Sequence, residues 1–317
     1  MIRLATIGTS MITGMLADAV RVVDGITIET VYSRDAAKAA AKAAEFGAAG
    51  SSDDLDAVLA SPDIDAVYIA SPNSEHGAQV RKVIAAGKHV LVEKPAVTTA
   101  DEWLELVGSA DEAGVVLLEA MRTEYDPGTA LVRSLLPELG VLRAASLRYA
   151  SRSSRYDLVL AGERVNMFDP AMAGGALFDL GVYCVHAMVT LLGVPESVHA
   201  DVLPVPSGVD GAGTILARYP GAVVSLEYSK ISTTHLPSEI QGEDATLVID
   251  HIASPRSVRL VRRDGSEELH ELTQPQHELR GEVERFVELV STGQDAAADH
   301  DRTTETLRII EAVRAGS

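Results

Sequence analysis

Two short stretches of this sequence carry side chains whose types and spacing could do chemistry on a small molecule. One is Glu93-Lys94-Pro95, which closes the apolar run His89–Val92. A charged pair at the tip of a buried strand is costly unless it is well paired or serves a ligand. A lysine there can donate to a substrate oxygen and steady the alkoxide that develops during hydride transfer. The other is Asp179, Tyr183 and His186, spaced i, i+4, i+7, which sets all three on one face of a helix that is otherwise mostly apolar. Such a stripe is expected where a helix borders a cleft. The plainer alternative is a polar stripe that is solvated or satisfied in the core.

These groups need elements to position them. The first strand-like run ends in Ile7-Gly8-Thr9-Ser10-Met11-Ile12-Thr13-Gly14. In a dinucleotide fold this turn offers backbone N–H groups and a helix N-terminus to a pyrophosphate. Gly8 fits the first glycine of that fingerprint, while Ser10 and Thr13 replace the second and third, so an ordinary strand-to-helix turn stays open. Ser33 and Arg34 end the second strand and suit a 2′-phosphate, by a charge-assisted hydrogen bond and by stacking on adenine. Asp35 follows and could face a ribose instead; Arg34 could also be a solvated helix-start residue. The balance favours NADP(H), with NAD(H) open. Ser71-Pro72-Asn73-Ser74-Glu75-His76 follows the fourth strand at its carboxyl end, where open α/β sheets bind ligands. Asn73 could equally cap the next helix, and His76 could be a surface residue.

Residues 1–121 alternate β-branched runs (Ile2–Ile7, Ile26–Tyr32, Ala66–Ala70, His89–Val92, Val115–Leu118) with helical stretches (Asp35–Phe46, Leu55–Ala60, Glu75–Ala86, Ala100–Ala113). Alternation of that length means βαβ units and a doubly wound parallel sheet. Residues 122–317 read differently. A helix at Gly128–Leu136 and a strand at Leu142–Ala150 precede an irregular stretch and a long helix, Gly175–Leu192. Then come closely linked strand-like runs from Ser197 to Val261, and helices near Glu278–Val290 and Thr303–Ala315. The expectation is an α/β Rossmann domain over 1–121, followed by an α+β domain over 122–317 with an open, mainly antiparallel sheet.

Composition narrows the function. With 46% hydrophobic residues in 317, disorder is excluded, and a net charge of −19 argues against nucleic acid or anionic membrane as partner. One cysteine, Cys184, allows no internal disulfide and reads as a buried packing residue. No apolar run stands out as a membrane span, the start lacks a signal-peptide pattern, and a cytoplasmic protein is expected. The nine histidines show no metal-ligand spacing, so no metal is expected.

Gly8-Thr9-Ser10, Ser71-Pro72-Asn73-Ser74-Glu75-His76, Glu93-Lys94-Pro95 and Gly174-Gly175-Ala176-Leu177-Phe178-Asp179-Leu180-Gly181-Val182-Tyr183 resemble, in that order and spacing, the Gfo/Idh/MocA oxidoreductases. The resemblance runs over nearly the whole chain. It implies a catalytic, substrate-binding Lys94, a cis Lys94–Pro95 bond, and Asn73 and His76 near the nicotinamide. It also implies cofactor contacts from Gly8, Thr9, Ser10, Met11, Ile12, Ser33, Arg34, Ser71, Pro72 and Glu93. Glu119 falls where the family often has a glutamate after the sixth strand.

Two positions depart from the family's usual pattern, which commonly has histidine at Tyr183 and aspartate at His186. Tyrosine there is similar to the branch with glucose–fructose oxidoreductase, dimeric dihydrodiol dehydrogenase and NADP-linked xylose dehydrogenase. That points away from inositol and towards NADP. A tyrosine with the usual pKa of ~10 is a poor base at neutral pH, and a nearby ammonium favours its phenolate. The expected chemistry is therefore hydride transfer between nicotinamide and a sugar, polyol or other small carbonyl or secondary alcohol. Lys94 polarises the oxygen, Tyr183 exchanges the proton, and Asp179 orients substrate or Lys94. Glu119, Arg122, Tyr156 and His186 are candidate substrate contacts; Arg152, Arg155, Lys230 and His235 carry less weight. The alternative is a catalytically silent NAD(P)-binding regulator of the same fold. A homodimer or homotetramer through the C-terminal sheet is expected.

Overall fold

The structure is a computed structural model that describes residues 1–273 and 276–316. Its chain divides into two compact units, Met1–Arg122 with Pro275–Thr303, and Thr123–Gln274 with Thr304–Ser317. The sequence suggests a second domain unbroken from 122 to 317, whereas residue 122 and the segment 275–303 group with the first unit. The reason is the helix Arg280–Thr292. Leu279, Val283, Phe286 and Leu289 recur along one side of it and are buried in the same core as Leu4, Leu16 and Tyr68.

The first unit holds a parallel sheet of β1 (Ile2–Ile7), β2 (Ile26–Tyr32), β3 (Gly50–Ser52), β4 (Ala66–Ile69), β5 (His89–Glu93) and β6 (Leu117–Ala120), in the order β3-β2-β1-β4-β5-β6. That is the doubly wound order of dinucleotide-binding folds, which reverses between β1 and β4. Every residue of β4 is buried, as a strand covered on both faces must be. The short β3 carried no signal in the sequence: Gly-Ser-Ser has no β-branched residue, and parallel pairing with Thr30–Tyr32 defines it. The sixth strand runs Leu117–Ala120 rather than Val115–Leu118, so Glu119 lies inside it and not after it.

Helices α1 (Met11–Val20), α2 (Ala36–Phe46), α3 (Leu55–Ala60), α4 (Asn73–Ala85) and α5 (Ala100–Ala113) connect these strands. Their starts are chemically marked. Asp35 accepts the Lys38 N–H at 3.0 Å, Asp54 the Ala57 N–H at 3.0 Å, and Thr99 the Glu102 N–H at 3.3 Å. Asn73 does not cap α4; Pro72 occupies the capping position and Asn73 is the first helical residue.

In the second unit, α6 (Pro127–Leu135) and β7 (Leu142–Ala150) are followed by α7 (Tyr156–Leu160), a π turn at Leu177–Gly181, and α8 (Val182–Leu192). Strands β8 (Ser197–Pro204), β9 (Asp210–Tyr219), β10 (Ala222–Ser229), β11 (Ser238–Gly242), β12 (Ala245–Ile249), β13 (Ser257–Arg262) and β14 (Glu267–Glu271) complete an eight-stranded sheet. Its order is β14-β13-β12-β11-β7-β10-β9-β8. All its pairings are antiparallel except β7 with β10. Alternating burial along β12 and β13 marks a sheet with one core face and one open face. The chain closes with α9 (Arg280–Thr292) and α10 (Ala297–Ala315).

One stretch, Pro170–Leu192, has the length and mean hydropathy (1.6) of a membrane span, contrary to the sequence reading that none stands out. Within the fold 83% of that window is buried, as befits a core helix.

Candidate active site

In the first unit, the candidate residues gather at the carboxyl ends of β1, β4 and β5. Gly8 follows β1 with φ +115°, and a Cβ there would lie 2.4 Å from the Ala70 carbonyl oxygen after β4. Only glycine fits this close approach of two strand ends at the point where strand order reverses. Ser10 is the N-cap of α1, but its hydroxyl makes no capping bond, which leaves first-turn N–H groups facing outward. Met11 beside it is 83% exposed. Thr13, at the third-glycine position, turns inward and is fully buried. A turn with this glycine and these open amides fits a dinucleotide's pyrophosphate.

At the end of β2, the Asp35 carboxylate is engaged as the α2 cap. The Ser33 hydroxyl accepts the Asp35 N–H at 3.3 Å, and Arg34 is exposed. Of the two readings left open for this segment, the ribose-facing carboxylate is therefore occupied elsewhere.

His76 is 1% exposed, not a surface residue, and braces two loops. Its Nδ1 lies 2.9 Å from the Pro95 carbonyl and its Nε2 3.0 Å from the Ser71 carbonyl. Burial above all, with the Lys94 charge, lowers its pKa, against the pull of the two carbonyls. The neutral ring donates to one carbonyl at a time. The Ser71 hydroxyl donates to Gln79 at 2.8 Å, which holds the start of α4.

Lys94 follows β5, half-buried, and the Lys94–Pro95 bond is cis, as the resemblance implied. Tyr68 donates to Glu93 Oε1 at 2.6 Å. Burial pushes the Glu93 carboxyl up, while Tyr68 and Lys94 pull it down. Glu119 accepts the Ala96 N–H and the Thr303 hydroxyl, each at 2.8 Å. Its carboxylate thus pins the backbone just past the cis bond, and the substrate contact expected of it gives way to that task. Arg122 closes the first unit and pairs with Glu278 at 3.4 Å.

The second unit places Asp179 in the π turn and Tyr183 in α8. Gly175 is needed ahead of them: its φ is +129°, and a Cβ would meet Asp210 Oδ1 at 2.2 Å. Asp210 Oδ2 in turn accepts the Leu177 N–H at 2.6 Å and so starts the turn. The extra residue of a π turn was invisible to a reading at regular helical spacing, and such turns recur at functional sites.

The polar stripe divides among different partners. Asp179 forms an ion pair with Lys230, which follows β10 and whose side chain is only 8% exposed. The Tyr183 ring lies 5.6 Å from that of Tyr149, which itself meets His251 at 4.6 Å. His186 is 3% exposed, and its Nε2 lies 3.3 Å from both Glu124 and the Thr190 hydroxyl. That internal network occupies His186, the core alternative for this member of the stripe. Tyr156 packs at 5.9 Å on Phe168 with Arg152 over its ring.

Lys230 carries little weight in the sequence. Its strand neighbours are apolar and hydroxylic, and nothing local marks it as the partner of a residue 51 positions earlier. His235 is exposed. Cys184 is fully buried, and burial pushes its thiol up to about 12, which suits a packing residue. Among the described residues no cluster of three or more His, Cys, Asp or Glu side chains could hold a metal ion.

The family follows from comparison with known proteins. Residues 2–121 match the oxidoreductase family, NAD-binding Rossmann fold, and residues 137–248 match the GFO/IDH/MocA C-terminal domain. The chain belongs to the Gfo/Idh/MocA oxidoreductases, enzymes with an NAD(P)-binding domain. It is similar to the scyllo-inositol 2-dehydrogenase (NADP(+)) of Bacillus subtilis, at 39% identity over 99% of this chain and 96% of that one. It is also similar to a D-xylose 1-dehydrogenase (NADP(+)) of Haloferax volcanii, at 30% identity over 89% and 87%. In fold it matches the crystal structure of KijD10, a 3-ketoreductase from Actinomadura kijaniata in complex with NADP and TDP-benzene, with a TM-score of 0.89 at 23% identity. That match covers 99% of this chain and 97% of the other.

Proposed function

We propose that this enzyme is an NADP-preferring dehydrogenase or reductase of a sugar or polyol, inositols and aldoses being the first candidates. The observation that carries the reading is the tip of β5. There the backbone that follows Lys94 is held by the His76 brace and by Glu119, at the ligand-binding end of the sheet. When bound, the nicotinamide accepts or returns the hydride. Lys94 donates to the substrate oxygen and offsets its developing charge. Tyr183 takes the hydroxyl proton in oxidation and returns it in reduction, and Asp179, steadied by Lys230, orients a substrate hydroxyl.

NADP preference is supported by the engagement of Asp35 as a helix cap, the exposed Arg34, and the cofactor in the two relatives' names. The pyrophosphate falls to Gly8, Thr9, Ser10, Met11 and Ile12, and the nicotinamide end to Ser71, Pro72 and Asn73. His186, Glu119 and Tyr156 are left out of the substrate contacts because each is occupied inside its own unit. Arg122 stays in it. The chain also forms a homodimer, or a dimer of dimers, through the open face of the second unit's sheet, where Leu216 and Val223 are each 49% exposed.

The test is turnover of NADPH and NADH with inososes, aldoses and diketones, and of the NADP+ pair with inositols and sugars. A clear NADH preference overturns the cofactor assignment. Tight NADPH binding with no turnover on the whole panel restores the silent regulator. A monomer in sedimentation at micromolar concentration removes the dimer.

A further inference from the structure

The ring of Tyr183 packs on a side chain that the chemistry above does not use, and that side chain packs on another. Tyr149, near the end of β7, lies on the same face of the strand as the buried Ala145 and Leu147. Its ring meets that of Tyr183 at 5.6 Å, with the planes tilted by 46°. The His251 imidazole stands nearly perpendicular to Tyr149, at 4.6 Å and 78°. Both separations lie in the range where aromatic rings attract each other. All three residues belong to the second unit, and each comes from a different element.

The histidine is itself fixed. It sits in the turn between β12 and β13, and its Nδ1 accepts the Ala253 N–H at 3.2 Å. That bond sets the plane of the ring and leaves the proton of the neutral imidazole on Nε2. Asp250 Oδ1 accepts the N–H groups of His251 and Arg256, each at 2.9 Å, and Arg256 pairs with Asp126 at 2.6 Å. Ile252 and Ala253 are buried beside it. A turn tied at this many points offers its imidazole at one place. Tyr183 is less constrained by its own helix. It follows directly on the π turn, where the regular neighbours that restrain a helical side chain are displaced.

We propose that Tyr149 and His251 are positioning residues for Tyr183: the two rings fix the direction of its hydroxyl, and the turn between β12 and β13 sets that direction through His251. This rests on the reading of Tyr183 as the group that exchanges the substrate proton. Proton transfer needs its two heavy atoms within hydrogen-bond reach, and a misplaced group costs rate. The hydroxyl is the ring atom farthest from the backbone, so it moves most when the ring swings. Asp179 takes its direction from Lys230 instead. Loss of the rings is therefore expected to lower kcat and to leave the KM for substrate in place.

Two substitutions at one position separate the ring from its hydrogen bond. His251→Asn sets an amide oxygen near the place of Nδ1, which keeps an acceptor for Ala253 and removes the ring. His251→Phe keeps a ring and removes the acceptor. H251N is expected to lower kcat about fivefold, with KM and thermal midpoint near their wild-type values, and H251F to keep most of kcat. In a Y183F background no hydroxyl is left to aim, so H251N is expected to cost nothing further. Full kcat in H251N overturns the proposal, and so does a loss in H251F as large as that in H251N. Equal losses from H251N with and without the Tyr183 hydroxyl overturn it as well, because the effect then bypasses that group. Failure of the proton-exchange reading shows separately, as full kcat in Y183F itself, and it takes the positioning role with it. Should H251N fold poorly, Tyr149→Leu decides. It removes the ring directly against Tyr183 and must lower kcat at least as far, again only where the hydroxyl is present.

Discussion

Around Lys94, the constraints run through the backbone: a histidine between two carbonyls and a carboxylate on the Ala96 N–H. Around Asp179 and Tyr183, they run through side chains: an ion pair to Lys230 and a packed ring from Tyr149. The first arrangement tolerates few changes in position, because strand ends and tight loops have little freedom. The second depends on the identity of a few partners that could be exchanged without disturbing the sheet. A family that keeps one reaction while changing substrates is served by that division. Lys94 is fixed by fold, and the surroundings of Asp179 and Tyr183 are set by replaceable side chains.

The comparison breaks most sharply at Lys94. Lys94→Ala is expected to lower kcat/KM by roughly 10³, the loss seen when a donor to a developing oxyanion is removed. The thermal midpoint should change little, since a half-buried lysine is removed without opening the core. Tyr183→Phe keeps the ring against Tyr149 and is expected to lower kcat by roughly 10², with little effect on KM. Full kcat in Y183F would remove the tyrosine from the proton path.

The Asp179–Lys230 pair sharpens the comparison, because it tests whether the second region is held by partners. Lys230→Met leaves Asp179 without its cation, and Asp179→Asn leaves Lys230 nearly buried without its anion. Breaking a buried pair from one side costs about 3–5 kcal/mol. Since Asp179 is 32% exposed, roughly half of that is the expectation here. KM for the substrate should rise about tenfold in K230M, as a misplaced Asp179 loses one charge-assisted hydrogen bond. The double variant D179N/K230M is expected to recover stability but not KM. Recovery of both would mean that the pair is structural only.

How much of this could be read in the sequence follows the same division. Gly8, Ser71–His76 and Glu93–Pro95 each mark a strand end, and the doubly wound sheet places strand ends together, so the gathering of these three segments was legible. The Asp179–Lys230 pair was not, because sequence carries no sign of which distant side chain a buried carboxylate meets. The π turn hid for a related reason: one added residue leaves composition unchanged and alters only the direction of each side chain. His186 shows the cost of helical spacing used alone. It shares a face with Tyr183 on an ideal helix, yet Glu124 and Thr190 claim it. The return of α9 to the first unit was equally silent, since an amphipathic helix shows that it has an apolar face but not which core accepts it.

A smaller change separates cofactor recognition from both regions. Arg34 lies at the end of β2, away from the lysine and the tyrosine in sequence, and is exposed. Arg34→Ala is expected to raise KM for NADPH about tenfold, the worth of one charge-assisted contact, and to leave KM for NADH unchanged. Equal effects on both cofactors would place Arg34 outside the 2′-phosphate site.

The smallest expected effect concerns the His76 brace, and its sign follows from burial. Burial lowers the pKa of His76 in the folded chain below its ordinary value of 6.5. The unfolded chain therefore binds a proton as pH falls through about 6.5, while the folded chain resists it. Stability linked to His76 is present above that pH and is lost progressively below it. His76→Gln removes the titration and half of the brace. It should be less stable than the wild type at pH 8 and show a flatter decline towards acid. Thermal midpoints measured from pH 8 down to 5 provide the check. Parallel declines in the two proteins would mean that the acid sensitivity lies in the paired carboxylates, and that His76 holds the Ser71 and Pro95 loops by shape alone.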